Sequence, residues 1–184
     1  VILECAGNSR SKLTPPAEGL AFGHGAVGNA MWVGVPLTDL LDEAGVQDGA
    51  TEMLAEGADV GEEEEEGKPI RVNYQRSLPL TRASDVLVTY QMNGMPLTAA
   101  HGAPVRLIVP GWFGMASVKW LTRIEILSEP FKGFFQNRRY VFIEDGATNP
   151  SWNPVTTQRV KSLITHPQHG EVIVPGVYSI SGKA

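Results

Sequence analysis

Cys5-Ala6-Gly7-Asn8-Ser9-Arg10 carries the single cysteine of a 184-residue chain. An unpaired cysteine closes no internal disulfide, so it is packing, a reactive thiol or a metal ligand. Upstream, Val1-Ile2-Leu3 reads as a strand running into Glu4-Cys5. Gly7 and Asn8 end that strand, because both accept backbone conformations that other residues avoid. The thiol thus stands at a strand end, on a turn, with an arginine following closely. A thiolate on a rigid strand end beside a fixed positive charge suits a soft metal ion. Taken alone, the hexapeptide fits a buried cysteine before an ordinary loop at least as well.

Outward from this turn, Pro15-Pro16 and the glycines at 19, 23, 25 and 28 make residues 11–30 a long irregular segment, a type that often serves function. Met31 to Val35 reads as a short strand. Pro36 to Ala44 reads as a helix, with Thr38 as cap, Leu37, Leu40 and Leu41 on one face, and Gly45 as stop. Residues 51–58 read as a strand. Glu62 to Glu66 reads as a solvated, mobile acidic loop, since adjacent like charges resist burial. Arg71 to Tyr74 is extended, and Leu78 to Ala83 leads into a short helix. Val86 to Met92 is β-rich, and Asn93-Gly94 behind it is a strong hairpin signal. Pro104 to Val109 is another strand. In Val118 to Leu127, Val118, Trp120, Thr122, Ile124 and Ile126 alternate with Lys119, Leu121, Arg123, Glu125 and Leu127, a strand with one face more buried. Residues 130–158 read as a nonperiodic wrapping linker. Val160 to Ile164 and Val172 to Ile180 read as two strands of a new all-β unit. No internal repeat is visible.

The composition sets bounds. Hydrophobic residues make up 42%, enough for a real core, and the length suits one domain, or one domain plus a fragment of another. A formal charge of −5 argues against a general nucleic-acid binder. No apolar run approaches a membrane span and no signal peptide is visible. The chain opens at Val1 in mid-strand, so a targeting segment, if any, is expected outside it.

Two further stretches can bind anions. In His101-Gly102-Ala103-Pro104-Val105-Arg106, Gly102 and Pro104 fix the backbone between a ring nitrogen and a guanidinium fork. A turn histidine and a surface arginine are the plainer reading. Gly111 to Trp120 is a glycine-bounded loop whose backbone amides suit a phosphate, with Ser117 and Lys119 adding a hydroxyl and a charge. The spacing is not that of a nucleotide-binding P-loop. Trp120 reads as a core plug. Asp59 is a pocket acid or a turn residue, and Tyr90 a strand residue packed in the core unless a pocket opens beside it. His24, His166 and His169 read as loop residues. Ser-nucleophile, His-Glu-x-x-His and paired-carboxylate motifs are missing.

In order, these pieces resemble the molybdopterin domain of the sulfite oxidase family of oxidoreductases. The residues carrying the resemblance are Cys5-Ala6-Gly7-Asn8-x-Arg10, Trp32-x-Gly34-Val35-x-Leu37, Gly57-x-Asp59, Ser77-Leu78-Pro79-Leu80, Tyr90-Gln91-Met92-Asn93-Gly94, His101-Gly102-x-Pro104-Val105-Arg106, Val109-Pro110-Gly111 and Val118-Lys119-Trp120-Leu121. The resemblance implies an α+β fold, a mixed, loop-rich β-sheet domain over residues 1–158. Residues 159–184 would be the first strands of an immunoglobulin-like dimerisation domain. It further implies that the chain is an excised piece, lacking an upstream segment and most of that second domain. Cys5 would be the thiolate ligand of molybdenum. Asp59, His101, Arg106, Ser117, Val118 and Lys119 would hold the molybdopterin and its phosphate, and Arg10 and Tyr90 would face the substrate. The implied activity is oxygen-atom transfer to sulfite or a similar small sulfur oxyanion, with electrons leaving to an external cytochrome-type acceptor. A homodimer of the longer protein and an extracytoplasmic setting are implied as well. Sulfite-oxidising members carry a second arginine where Ser9 stands, which bears on the substrate more than on the metal. The alternatives are an S- or N-oxide reductase of the same superfamily, and a cofactor-free, noncatalytic binding module.

Overall fold

The computed structural model describes residues 1–142 and 153–184, so the middle of the expected 130–158 linker lies outside the described residues. In chain order the elements are β1 (Ile2–Glu4), β2 (Val27–Asn29), β3 (Trp32–Pro36), α1 (Leu37–Ala44), β4 (Glu52–Glu65), β5 (Lys68–Pro79), β6 (Leu87–Met92), β7 (Met95–Pro96), β8 (Arg106–Ile108), β9 (Leu121–Leu127), β10 (Val141–Phe142), β11 (Asn153–Pro154), β12 (Leu163–His166) and β13 (Ser181–Lys183). Between them run short helical turns, among them Leu80–Asp85, Gly114–Ala116 and Phe135–Arg139.

Two antiparallel sheets organise the described residues. In one, β6 pairs with β3, β7 and β8; in the other, β4 lies between β5 and β9. The turn from β6 to β7 uses Asn93 and Gly94 at φ 52° and 79°, the left-handed pair that a tight hairpin needs. α1 starts at Leu37, behind Pro36 in the cap position, rather than on a Thr38 cap: the Thr38 hydroxyl turns to Asp39, and no side chain caps the first turn. Gly45, at φ 76°, stops the helix by donating its N–H to the Leu41 carbonyl at 3.0 Å.

The core lies between the sheets and α1. Leu37, Met53, Val86, Leu107 and Val109 are each 0% exposed. Trp112 and Phe113 are the aromatic plugs of the glycine-bounded loop. Trp120 is not: it turns with a positive φ of 48° and is only half-buried. The alternation expected through 118–127 also breaks there, since β9 begins at Leu121, and Leu121, Ile124 and Ile126 all pack against the core. Leu107→Ala is expected to destabilise the fold by about 2–5 kcal/mol, the range for emptying a buried leucine site. The midpoint of urea unfolding, at unchanged slope, checks it.

The acidic run is not a loop. Glu62 to Glu65 continue β4, pairing residue for residue with Lys68 to Arg71 of β5, and the chain turns at Glu66 and Gly67. Backbone pairing needs no side-chain burial, so alternate glutamates remain in solvent on a regular ladder. At the C-terminal end, β12 and β13 form an antiparallel ribbon. The second strand starts at Ser181, and Val172 to Ile180 are irregular, contrary to expectation. None of the described helices is long and apolar enough to cross a membrane.

Candidate functional site

A cleft of about 680 Å³ opens where the end of β1, the middle of β4 and the start of β8 meet the loop entering β9. Its walls include Cys5, Asp59, Arg106, Ser117, Lys119 and Trp120, with Tyr74 and Tyr140 on one side. Residues scattered through most of the sequence are thus brought to one place.

Cys5 is the first residue past β1 and is exposed. Its amide donates to the Ala26 carbonyl at 2.9 Å and its carbonyl accepts the Asn8 N–H at 2.9 Å. The Gly7 N–H points at Sγ, 3.4 Å away. Asp59 sits where the ladder breaks: β4 shifts register against β5 between Glu56 and Val60, and against β9 between Glu56 and Gly57. That bulge swings the carboxylate into the cleft, where Oδ1 is buried without a hydrogen-bond partner.

Arg106 opens β8 and is 6% exposed. It donates to the carbonyls of His101 at 3.1 Å and Ser117 at 2.9 Å, and it lies 5.1 Å from the Trp32 ring centre. Among the described residues it forms no ion pair. Burial lowers its proton affinity, to a pKa of about 10, so it remains a cation at neutral pH. A buried cation balanced only by carbonyl dipoles and a π face still favours an anion. Lys119 lies on the same wall, its ammonium 3.0 Å from the Ala100 carbonyl and 4.1 Å from the Trp120 ring centre. Gly102, at φ 97°, lets the chain pass: a Cβ there would stand 2.8 Å from that of Lys119. The Ser117 hydroxyl is already engaged, accepting the Val109 N–H at 3.1 Å.

Of the residues singled out in the sequence, Cys5, Asp59, Arg106, Ser117 and Lys119 line the cleft, and Arg10, Tyr90, His101 and Val118 do not. The Arg10 guanidinium packs over Gly7 and Gly19 and donates to the Leu20 carbonyl at 2.8 Å, pinning the 7–23 loop. Tyr90 is 42% exposed on β6. His101 supplies a carbonyl to Arg106, while its ring meets the Thr98 hydroxyl at 2.8 Å. Val118 is a core residue, 1% exposed.

Sequence reasoning passed over Tyr74 and Tyr140. The Tyr74 hydroxyl donates to the Met115 carbonyl at 2.8 Å. Burial, and secondarily for Tyr140 the neighbouring Cys5, raises the pKa of both phenols, so they are protonated donors at neutral pH. The hydrogen-bonding strand position of Tyr74 and the Tyr140 run of aromatics (Phe131, Phe134, Phe135) were the available signals.

The cleft's lining fits an anionic organic group that also carries N–H donors. Its volume suits a small-molecule cofactor; the orphaned Asp59 Oδ1 accepts N–H donors, and Arg106 and Lys119 attract a phosphate. Among the described residues no group of three or more His, Cys, Asp or Glu side chains could hold a metal ion.

The family model for the oxidoreductase molybdopterin binding domain matches residues 1–135. Over its whole length the chain is 38% identical to mitochondrial sulfite oxidase of Homo sapiens, of which it covers 35%. It is 31% identical to an NADPH nitrate reductase of Fusarium oxysporum, covering all of this chain and 22% of that one. The sulfane dehydrogenase SoxCD from Paracoccus pantotrophus has a similar structure, with a TM-score of 0.71 and 32% identity over 91% of this chain and 40% of that one. The strand-rich architecture with few helices matches that type of domain. The chain spans about a third of the length of the first of these curated relatives, 35%.

Proposed function

Because the chain belongs to the oxidoreductase molybdopterin-binding domain family, we propose that it forms the cofactor-holding part of a molybdenum-dependent oxidoreductase acting on sulfite or a similar small sulfur oxyanion. The observation that carries this reading is the placement of an exposed thiol, a buried unpaired cation and an orphaned carboxylate oxygen in one cleft. When bound, the cofactor supplies two-electron, oxygen-atom transfer chemistry. The protein contributes ligation, orientation and electrostatics.

In this reading Cys5 holds the metal through its thiolate. Arg106 and Lys119 bind the cofactor's anionic end, and Asp59 accepts from its ring N–H groups. The Arg106 fork is fixed by its two carbonyls, so its charge is aimed before any ligand arrives, which lowers the cost of ordering on binding. Tyr140 donates a hydrogen bond to an oxyanion, its phenol kept protonated by burial. Trp120, held by its Nε1 donating to the Ala99 carbonyl at 2.8 Å, shields the Lys119 ammonium from water on one side. An external haem protein would take the electrons. Residues 159–184 are read as the opening of an immunoglobulin-like dimerisation domain, supported by the β12–β13 ribbon.

The test uses full-length protein made in a host that synthesises the cofactor. Stoichiometric molybdenum and sulfite-dependent reduction of cytochrome c are expected. Protein that carries molybdenum and reduces nitrate or a sulfoxide, but leaves sulfite untouched, would favour the reductase reading, to which the nitrate reductase likeness points. Protein without molybdenum would leave a noncatalytic module.

A further inference from the structure

Beside the cysteine turn, Glu4, itself on the cleft wall, makes a charged contact to a lysine that is not part of the cleft lining. Glu4 closes β1 with its side chain 11% exposed. Its Oε1 is 2.7 Å from the ammonium of Lys161 and accepts from the Asn8 amide nitrogen at 2.9 Å. Lys161 also donates to the Asn8 carbonyl at 2.9 Å. Asn8 in turn accepts the Ala26 N–H on Oδ1 at 3.1 Å. Ala26 is the residue whose carbonyl receives the Cys5 amide. One connected set of bonds therefore runs from Lys161 through Glu4 and Asn8 to both backbone groups of Cys5. The segment carrying Lys161 is itself anchored, with the Gln158 N–H donating to the Gly111 carbonyl at 2.9 Å.

We propose that Lys161 is a positioning residue for the Cys5 thiol, acting through Glu4 and Asn8, so that the aim of the sulfur depends on a cation supplied from outside residues 1–135. The proposal rests on reading Cys5 as the metal ligand. A largely buried carboxylate needs its partners, and removing one leaves it under-compensated. Without Lys161, Glu4 keeps Asn8 alone and is drawn towards water, and the end of β1 moves with it. Partners one step behind a metal ligand set its orientation in the same way.

Amide hydrogen exchange, read by mass spectrometry on full-length protein prepared without cofactor, tests this directly. Lys161→Met is expected to speed exchange in the Glu4–Arg10 peptide about tenfold, the scale of losing one hydrogen bond to a charged group. Exchange in β6 should stay as it is, and Lys161→Arg should restore most of the protection. With cofactor loaded, Lys161→Met should release molybdenum faster than wild type. Unchanged exchange in the Glu4–Arg10 peptide overturns the proposal. So does an equal rise in β6, since that is the mark of general loosening. If the turn responds as expected but wild-type protein holds no molybdenum, the tie stands as one that orders Cys5, and the ligand role of Cys5 is what fails.

Discussion

Cys5→Ser in the full-length protein is expected to abolish molybdenum retention and sulfite-dependent electron transfer while leaving the fold intact. The two effects separate because of where the thiol sits. It is exposed, and its one recorded polar contact is the Gly7 N–H, which a serine oxygen also accepts. The stability change should therefore stay within about 0.5 kcal/mol, as for surface substitutions away from special features. A serine hydroxyl is harder and far less acidic than a thiol, so it does not replace a soft anionic ligand. The activity loss should exceed the roughly 10- to 100-fold carried by residues that only support a ligand. Metal analysis, thermal unfolding and steady-state rates on the same preparation check all three. Wild-type levels of molybdenum in the variant would rule out Cys5 as the ligand.

Arg106→Met should separate stability from binding. Methionine gives up the guanidinium's contact with the Trp32 ring but removes a buried charge that has no carboxylate partner among the described residues, and the second effect is neutral or favourable. Against this, the carbonyls of His101 and Ser117 lose their donors, a cost of about 1–3 kcal/mol each when such groups stay buried. Cofactor-free protein should thus be moderately less stable, seen as a lower thermal midpoint. Binding should suffer more. Truncating a buried, hydrogen-bonded charge that faces an opposite charge costs about 2–5 kcal/mol, on the order of thirtyfold to several thousandfold in affinity. Arg106→Lys retains the charge but offers a point donor instead of a fork, so the two carbonyls cannot both be served and retention should be intermediate. Cofactor content after extended dialysis measures the series. A methionine variant that keeps wild-type content would show that this cation does not face the ligand.

Much of the fold was legible because its signals are local. The β6–β7 hairpin follows from Asn93-Gly94, and α1 from leucine spacing closed by Gly45. The site was legible where a residue's conspicuous feature is its chemistry, as with Cys5, Arg106 and Lys119. What escaped depends on register and on long-range contact. Trp120 looked like core because its neighbours alternate, yet a backbone turn at that residue breaks the alternation. The glutamate run looked like a loop because local charge was weighed without the partner strand that pairs with it. Tyr140 offered only an aromatic neighbourhood, while Tyr90, which the resemblance implies at the substrate, stands on β6 outside the cleft lining. Arg10, which the resemblance implies at the substrate, has its guanidinium seated over two glycines of its own loop, a contact that only the fold reveals.

The β4–β5 ribbon outruns its sheet. β9 accompanies β4 only as far as Gly57, and beyond Val60 the two strands continue without a third strand, though Arg138 reaches Glu65 at 3.3 Å near the tip. Such a pair presents open peptide edges that could template stacking between molecules. Here the outer stretch carries consecutive glutamates on one strand and Lys68-Pro69 at the start of the other. Electrostatic repulsion between copies and a missing proline N–H make both rims poor templates. The ribbon thus outruns its third strand, braced from one side by Arg138, while its rims are guarded against fibril-like self-addition.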